Sequence, residues 1–228
     1  MGSGKTDRPA PRRRGRPPKS DGPETRELLL EAALELFARQ GYAATTVRQI
    51  AEVIGVRDSA IYAHFPGKQA IYDELFAEGG PPQLEVLDVD VEELAAAEPR
   101  LAVPDLIDRL VAVWSSPRMR LFSSVVLRDG SGAGGLGGLT LAIEDAKDRL
   151  EPLFRRWQEA GLIRADLVPR QLVWELFAPL QVPRFLFLRA DATDADVATA
   201  RQAIDDHVAF FLTCVTPSGR EGPSEERI

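Results

Sequence analysis

The 228-residue chain is 44% apolar and 28% charged with a net charge of −7, the balance of a globular protein with a sizeable core. No run approaches the ~18–20 apolar residues of a membrane span, and no apolar stretch follows the N-terminal basic cluster as a secretory leader requires. Cys214 is the single cysteine and there are two histidines, which excludes an intrachain disulfide and a conventional zinc site; the expectation is a cytoplasmic protein without metal or cofactor.

Charge is distributed unevenly. Residues 1–23 carry seven basic and two acidic residues, a balance of +5, whereas residues 79–228 carry 16 basic and 24 acidic, a balance of −8. A basic arm on an acidic body points to one end meeting a polyanion. The arm, which includes "RRRGRPPK", is rich in Pro, Gly, Ser and Arg and is expected to be disordered.

Helical punctuation begins at Asp21, a candidate N-cap with Glu24 three residues on. Leu29, Ala33, Leu36 and Phe37 then recur at helical spacing until Gly41. Thr46 and Gln49 have capping-box spacing and open a helix over Val47–Ile54, which Gly55 stops. A short helix is predicted from Asp58 to His64 and another from Lys68 to Glu78. Gly79-Gly80-Pro81-Pro82 then marks a domain boundary.

Beyond it the spacing predicts helices over Pro104–Trp114, Pro117–Leu127, Leu139–Ala160, Pro169–Arg189 and Thr193–Val215, with Thr193 and Asp196 in capping register. Pro179 and Pro183 should kink or break the fourth of these. Between the second and third, "RDGSGAGGLGGLT" contains Gly132-x-Gly134-x-x-Gly137, the dinucleotide-binding spelling. It lacks a βαβ setting and is read as a flexible loop. The expected fold is all-α, ending in a flexible tail over residues 218–228.

Residues 46–64, "TVRQIAEVIGVRDSAIYAH", have helix-turn-helix spacing. Ala51 is the small residue at the crossing, Gly55 allows the turn, and Ile61 points back toward Ile50, Val53, Val56 and Phe65 as a small core. Ser59, Ala60, Tyr62 and Ala63 are left on the outer side, where such a helix can lie in a major groove. An ordinary hairpin with polar residues facing water has the same spacing. Thr46, Arg48, Arg57, Tyr62, His64 and Lys68, donors suited to phosphates, favour the nucleic-acid reading.

The longer segment "GYAATTVRQIAEVIGVRDSAIYAHFPGKQAIYDELF" resembles the N-terminal domain of the tetracycline-repressor (TetR) family of transcriptional regulators. The likeness covers roughly residues 24–78 and includes Ala33, Phe37, Gly41, Thr46, Ile50, Ala51, Gly55, Val56, Ile61, Tyr62, Phe65 and Lys68. It implies a three-helix helix-turn-helix domain over residues 24–79 and a larger helical effector-binding and dimerisation domain over 80–217. By the same resemblance Thr46, Tyr62, His64 and Lys68 contact phosphates, and Ser59 and Ala60 face bases. Arg48 and Arg57 are placed for a base edge or a backbone oxygen, Arg48 being the better candidate for guanine.

Further roles follow from the resemblance. Leu172, Leu176, Phe177 and Leu180, with Val197, Ile204, Val208, Phe211 and Leu212, form stripes suited to a homodimeric four-helix bundle or to the protomer's own core. Trp114, Phe122, Trp157, Trp174 and Phe177 are candidates to line an effector pocket, though aromatics at helical spacing also serve as plain core. Arg14-Gly15-Arg16-Pro17 resembles an AT-hook, which implies a minor-groove arm; a solvated tail is the alternative. The expected function is a sequence-specific regulator, a repressor released from its double-stranded operator by a small-molecule effector. An architectural, weakly specific DNA binder dominated by the arm is the other reading. No nucleophile–base pair or carboxylate dyad argues for an enzyme.

Overall fold

Local chemistry sets where the helices begin and end. In the computed structural model, which describes residues 23–79, 90–129 and 136–217, the described residues form α-helices and no strand. Helix α1 spans Pro23–Gln40 and ends at Gly41, whose φ of 85° lets its N–H reach back to the Phe37 carbonyl at 2.9 Å. Helix α2, Val47–Val53, starts on a complete capping box. The Thr46 hydroxyl accepts from the Gln49 N–H at 3.2 Å, and the Gln49 side chain accepts from the Thr46 N–H at 2.8 Å.

Gly55 turns the chain with φ 72°, and a Cβ there would meet nothing within 4 Å. Backbone conformation, not crowding, is therefore what calls for glycine. Helix α3 is Asp58–Ile61 and α4 is Lys68–Gly79. The expected continuation of α3 to His64 is instead a run of tighter turns, with the His64 N–H bonded to the Ile61 carbonyl at 2.9 Å.

The second half holds α5 (Val91–Ala96), α6 (Pro99–Trp114), α7 (Pro117–Asp129), α8 (Leu136–Glu159), α9 (Pro169–Phe177), α10 (Gln181–Phe187) and α11 (Asp194–Val215). Helix α5 is too short to show an apolar period, although Asp90 caps it by accepting from the N–H groups of Glu92 and Glu93. Helix α6 begins at Pro99 and carries Pro104, its expected start, inside it. Helix α8 begins at Leu136, so the last glycine of the dinucleotide-like spelling, Gly137, is helical rather than part of a loop; residues 130–135 lie outside the described residues, as do 218–228. The expected helix over Pro169–Arg189 is two helices broken at Ala178-Pro179-Leu180. Helix α11 starts on the Thr193–Asp196 capping box.

Two apolar cores result. In the first, Leu29, Leu30, Ala33, Leu34 and Phe37 of α1 meet Ile50, Ala51, Ile61, Phe65, Ile71 and Leu75. Met119, Phe122 and Val125 of α7 complete this core, Phe122 meeting Phe76 edge to face at 5.6 Å, and Arg118 of α7 pairs with Glu31 of α1. The N-terminal core thus borrows a helix from beyond the expected boundary at 79–82; residues 80–89 lie outside the described residues. Val53, expected in this core, is 56% exposed; Ile54 and Val56 on either side of the Gly55 turn pack against the core instead.

The second core joins α6, α8, α9 and α11 through Leu106, Ile107, Leu110, Leu150, Phe154, Trp157, Val173 and Ile204. Ion pairs tie its helices together at the surface: Arg170 reaches Glu144 at 2.7 Å and Asp148 at 2.6 Å, and Arg201 reaches Asp108 at 2.5 Å. No helix among the described residues is long and apolar enough to cross a membrane.

Candidate nucleic-acid interface

Helices α2 and α3, with the turns after them, expose a series of polar side chains. Ile50, Ala51 and Ile61, each 0% exposed, anchor it from below. Above them Thr46, Arg48, Arg57, Ser59 and Tyr62 are exposed, and Ala60 and His64 are half-buried. Tyr62 is 59% exposed although it follows the fully buried Ile61, so the tighter turn directs its ring and hydroxyl outward. An exposed tyrosine at the end of α3 suits a phosphate or sugar contact.

The candidate donors differ in what already occupies them. Arg57 stands at the N-cap of α3 with no side-chain capping bond and is exposed. Arg48 is held by Glu52 one turn along α2, its Nε 2.8 Å from Oε1, and that hydrogen bond raises the guanidinium pKa. Such an exposed pair is weak and exchanges readily for a phosphate or a base edge. The Thr46 hydroxyl serves the capping box.

Lys68 is committed inward. Its Nζ donates to the carbonyls of Tyr42 at 2.6 Å and Thr45 at 2.7 Å, and lies over the Tyr42 ring at 4.1 Å. It therefore pins the segment entering α2 to the start of α4, a positioning role that spacing could not disclose. His64 is turned partly inward as well, with Nε2 enclosed and without a hydrogen-bond partner among the described residues. Arg14, Gly15, Arg16 and Pro17 of the basic arm lie outside the described residues.

In the second half the structure separates residues that the sequence grouped. Phe122 belongs to the N-terminal core, Trp157 is buried with Nε1 donating to the Ala97 carbonyl at 3.1 Å, and Trp174 is 39% exposed under the Lys147 ammonium. Trp114 and Phe177 are buried in the second core. The five thus fall in two different cores and, for Trp174, at the surface, because helical spacing records which residues share a face and not which faces meet. A hollow of about 210 Å³ does lie between α5 and α6, lined by the apolar Leu94, Ala97, Leu101, Ala102 and Leu106 and by the charged Asp90, Glu93, Asp105 and Arg109.

The apolar stripes, suited on spacing to a dimer bundle or to the protomer's own core, lie in that core. Leu172, Leu176, Leu180, Ile204, Val208 and Phe211 are all buried in the protomer's own core. The regular stripe is the face the protomer itself needs. Helices α9, α10 and α11 also leave Trp174, Val182, Leu186 and Phe210 exposed.

Residues 29–75 match the profile of bacterial regulatory proteins of the tetR family. The HTH-type transcriptional regulator AcrR of Shigella flexneri is 27% identical over 158 residues, covering 67% of this chain and 73% of that protein. TtgW, an uncharacterised HTH-type transcriptional regulator of Pseudomonas putida, is 33% identical over 118 residues, 51% of this chain and 83% of that protein. Among solved structures, SmeT, the repressor of the Stenotrophomonas maltophilia multidrug efflux pump SmeDEF, superposes with a TM-score of 0.65 at 21% identity, covering 90% of this chain and 96% of that one. SmeT in complex with triclosan superposes with a TM-score of 0.61 at 21% identity, covering 86% and 93%. The likeness to SmeT shows a shared fold.

Proposed function

The chain belongs to the tetR family of bacterial regulatory proteins, and from that premise we propose that it is a dimeric repressor which a small molecule releases from its operator. The observation that carries this reading is the exposed surface of Arg57, Ser59 and Tyr62 above the buried Ile61. Its outward groups suit phosphates and base edges, and the core beneath holds their spacing rigid.

Arg57 and Tyr62 contact the backbone, Ser59 and Ala60 face bases, and Arg48 leaves Glu52 for a base edge or a phosphate. Lys68 and Thr46 hold the frame. A helix-turn-helix of this size reads few base pairs, so two copies must bind half-sites about one helical turn apart or a multiple of it. The pairing face is the exposed set Trp174, Val182, Leu186 and Phe210.

The triclosan complex of SmeT supports an effector-responsive second half, because that protein shares this fold. The coupling route is α7, which packs into the N-terminal core through Phe122 while its Arg120 Nε donates to the Arg189 carbonyl at 2.8 Å. An effector that moved α10 would therefore move the support of the DNA-binding surface.

Selection of bound sequences from a random duplex pool tests the proposal. A palindromic consensus with half-sites at helical spacing is expected. Equal affinity for selected and random duplexes would replace it with the architectural reading.

A further inference from the structure

One cation is buried without an anion. Arg184 of α10 is 2% exposed and is the one charged residue in the buried set among the described residues. Other arginines of this half, such as Arg156, Arg170 and Arg201, reach carboxylates at the surface. The hydrogen bond of Arg184 runs from Nη1 to Gln181 Oε1 at 3.2 Å, a neutral acceptor on its own helix, and Nε is enclosed with no acceptor. Its Cζ lies over the Trp114 ring at 4.8 Å and over the Phe185 ring at 5.0 Å.

Two further buried donors nearby in the fold lack acceptors. Among the described residues Trp114 Nε1, on the ring beneath the guanidinium, has none, and neither does the hydroxyl of Ser123 on α7, the helix that meets the end of α10. Helix α7 packs on the end of α10, where Ser124 Oγ accepts from the Ala190 N–H at 2.9 Å. Aromatic faces offset part of the cost of a buried guanidinium, but they offer no acceptor to its N–H groups. Burial pushes the Arg184 pKa down to about 9, so the group stays protonated at neutral pH. A buried charge with an unpaired Nε, beside a second unpaired donor on the Trp114 ring, points to a missing acceptor that itself carries charge.

We infer that the effector is a small organic monoanion, a carboxylate on an apolar body, whose carboxylate pairs with Arg184 beside Trp114. This rests on the effector-responsive reading given above. A single buried cation matches one negative charge, and a dianion would leave the second uncompensated. Leu180 and Leu188, one turn before and one turn after Arg184 and both 0% exposed, match an apolar body. The hollow between α5 and α6 carries Asp90, Glu93 and Asp105 against the single cation Arg109, which Asp105 already pairs, so its net charge disfavours an anion and ligand charge separates the two sites.

The test uses the full chain and three matched probe series: straight-chain alkanoates, alcohols of the same lengths and alkyltrimethylammonium ions. Tryptophan fluorescence reads binding, and anisotropy of a labelled, selected duplex reads release. An alkanoate should bind at least about tenfold more tightly than its alcohol and release the duplex. Arg184→Met should remove that preference and leave alcohol binding unchanged, while Arg184→Lys should keep part of it. Binding by no alkanoate, equal binding of alkanoate and alcohol, or preference for the cation would overturn the inference.

Arg184→Met should fold, since an apolar residue of similar length replaces an unpaired buried charge. Should it not, the three probe series on the unaltered chain decide alone. Failure of the underlying reading looks different. With no selected duplex the regulator reading falls while fluorescence still tests the anion site; a duplex released only by alcohol or cation leaves the regulator standing and the inference overturned.

Discussion

The Nε2 atom of His207 lies 3.0 Å from the carbonyl oxygen of Glu175, across the break between α9 and α10. In a continuous helix that oxygen would accept from the N–H of residue 179, which is a proline and has none. The imidazole also reaches the Leu176 carbonyl at 3.2 Å, so a side chain of α11 supplies the donor that the break removes. His207→Ala should therefore lower stability by about 1–2 kcal/mol in urea unfolding. His207→Gln should recover part of the loss, because an amide can donate to the same carbonyls. Equal stability of His207→Ala and the parent would mean that water serves these carbonyls as well.

Tyr62 is exposed and packs little, so Tyr62→Ala should leave Tm unchanged while weakening binding to every duplex alike. Electrophoretic mobility shifts on selected and random duplexes and a thermal melt measure the two effects. Unaltered affinity would place the contact surface elsewhere.

For Arg48, whose Glu52 pair is fully exposed, Arg48→Ala should relax preference at one discrete operator position. A uniform loss across sequences would make it a phosphate contact instead.

Lys68 offers a sharper contrast, because the structure gives it a role the resemblance did not. Lys68→Met should cost about 1–3 kcal/mol of stability by freeing two carbonyls and the segment before α2. DNA affinity should fall with it, yet the dependence of log K on log salt should keep its slope. A slope shallower by about 1 would show a phosphate contact after all.

Phe210 is 67% exposed on α11, in line with an unpaired apolar face. Phe210→Glu should yield a folded monomer in sedimentation equilibrium and lose operator binding. A dimer of unchanged strength would move the interface off this face.

Much of the N-terminal half was legible because its signals are local. Thr46 with Gln49, Gly41 and Gly55 are choices a helix end makes from its own few residues, and each stands where the spacing put it. Even α5 carries its sign in Asp90, without the longer apolar pattern that marks the other helices. The break at Pro179 was likewise written in the chain. Its repair by His207 was not, since the two residues are far apart along the chain and meet only through packing.

Caps, turns and apolar spacing determined that this protein is built of helices, because they act within one or two turns of chain, and the donor set with the longer matched segment singled out a helix-turn-helix near its N-terminus. Tertiary structure decided the rest. It drew Phe122 into the first core, faced the Leu176 and Ile204 stripes inward, took Lys68 for a brace and enclosed Arg184 without a carboxylate. A spacing pattern tells which side chains share a face of one helix; what that face meets depends on helices brought together from far along the chain.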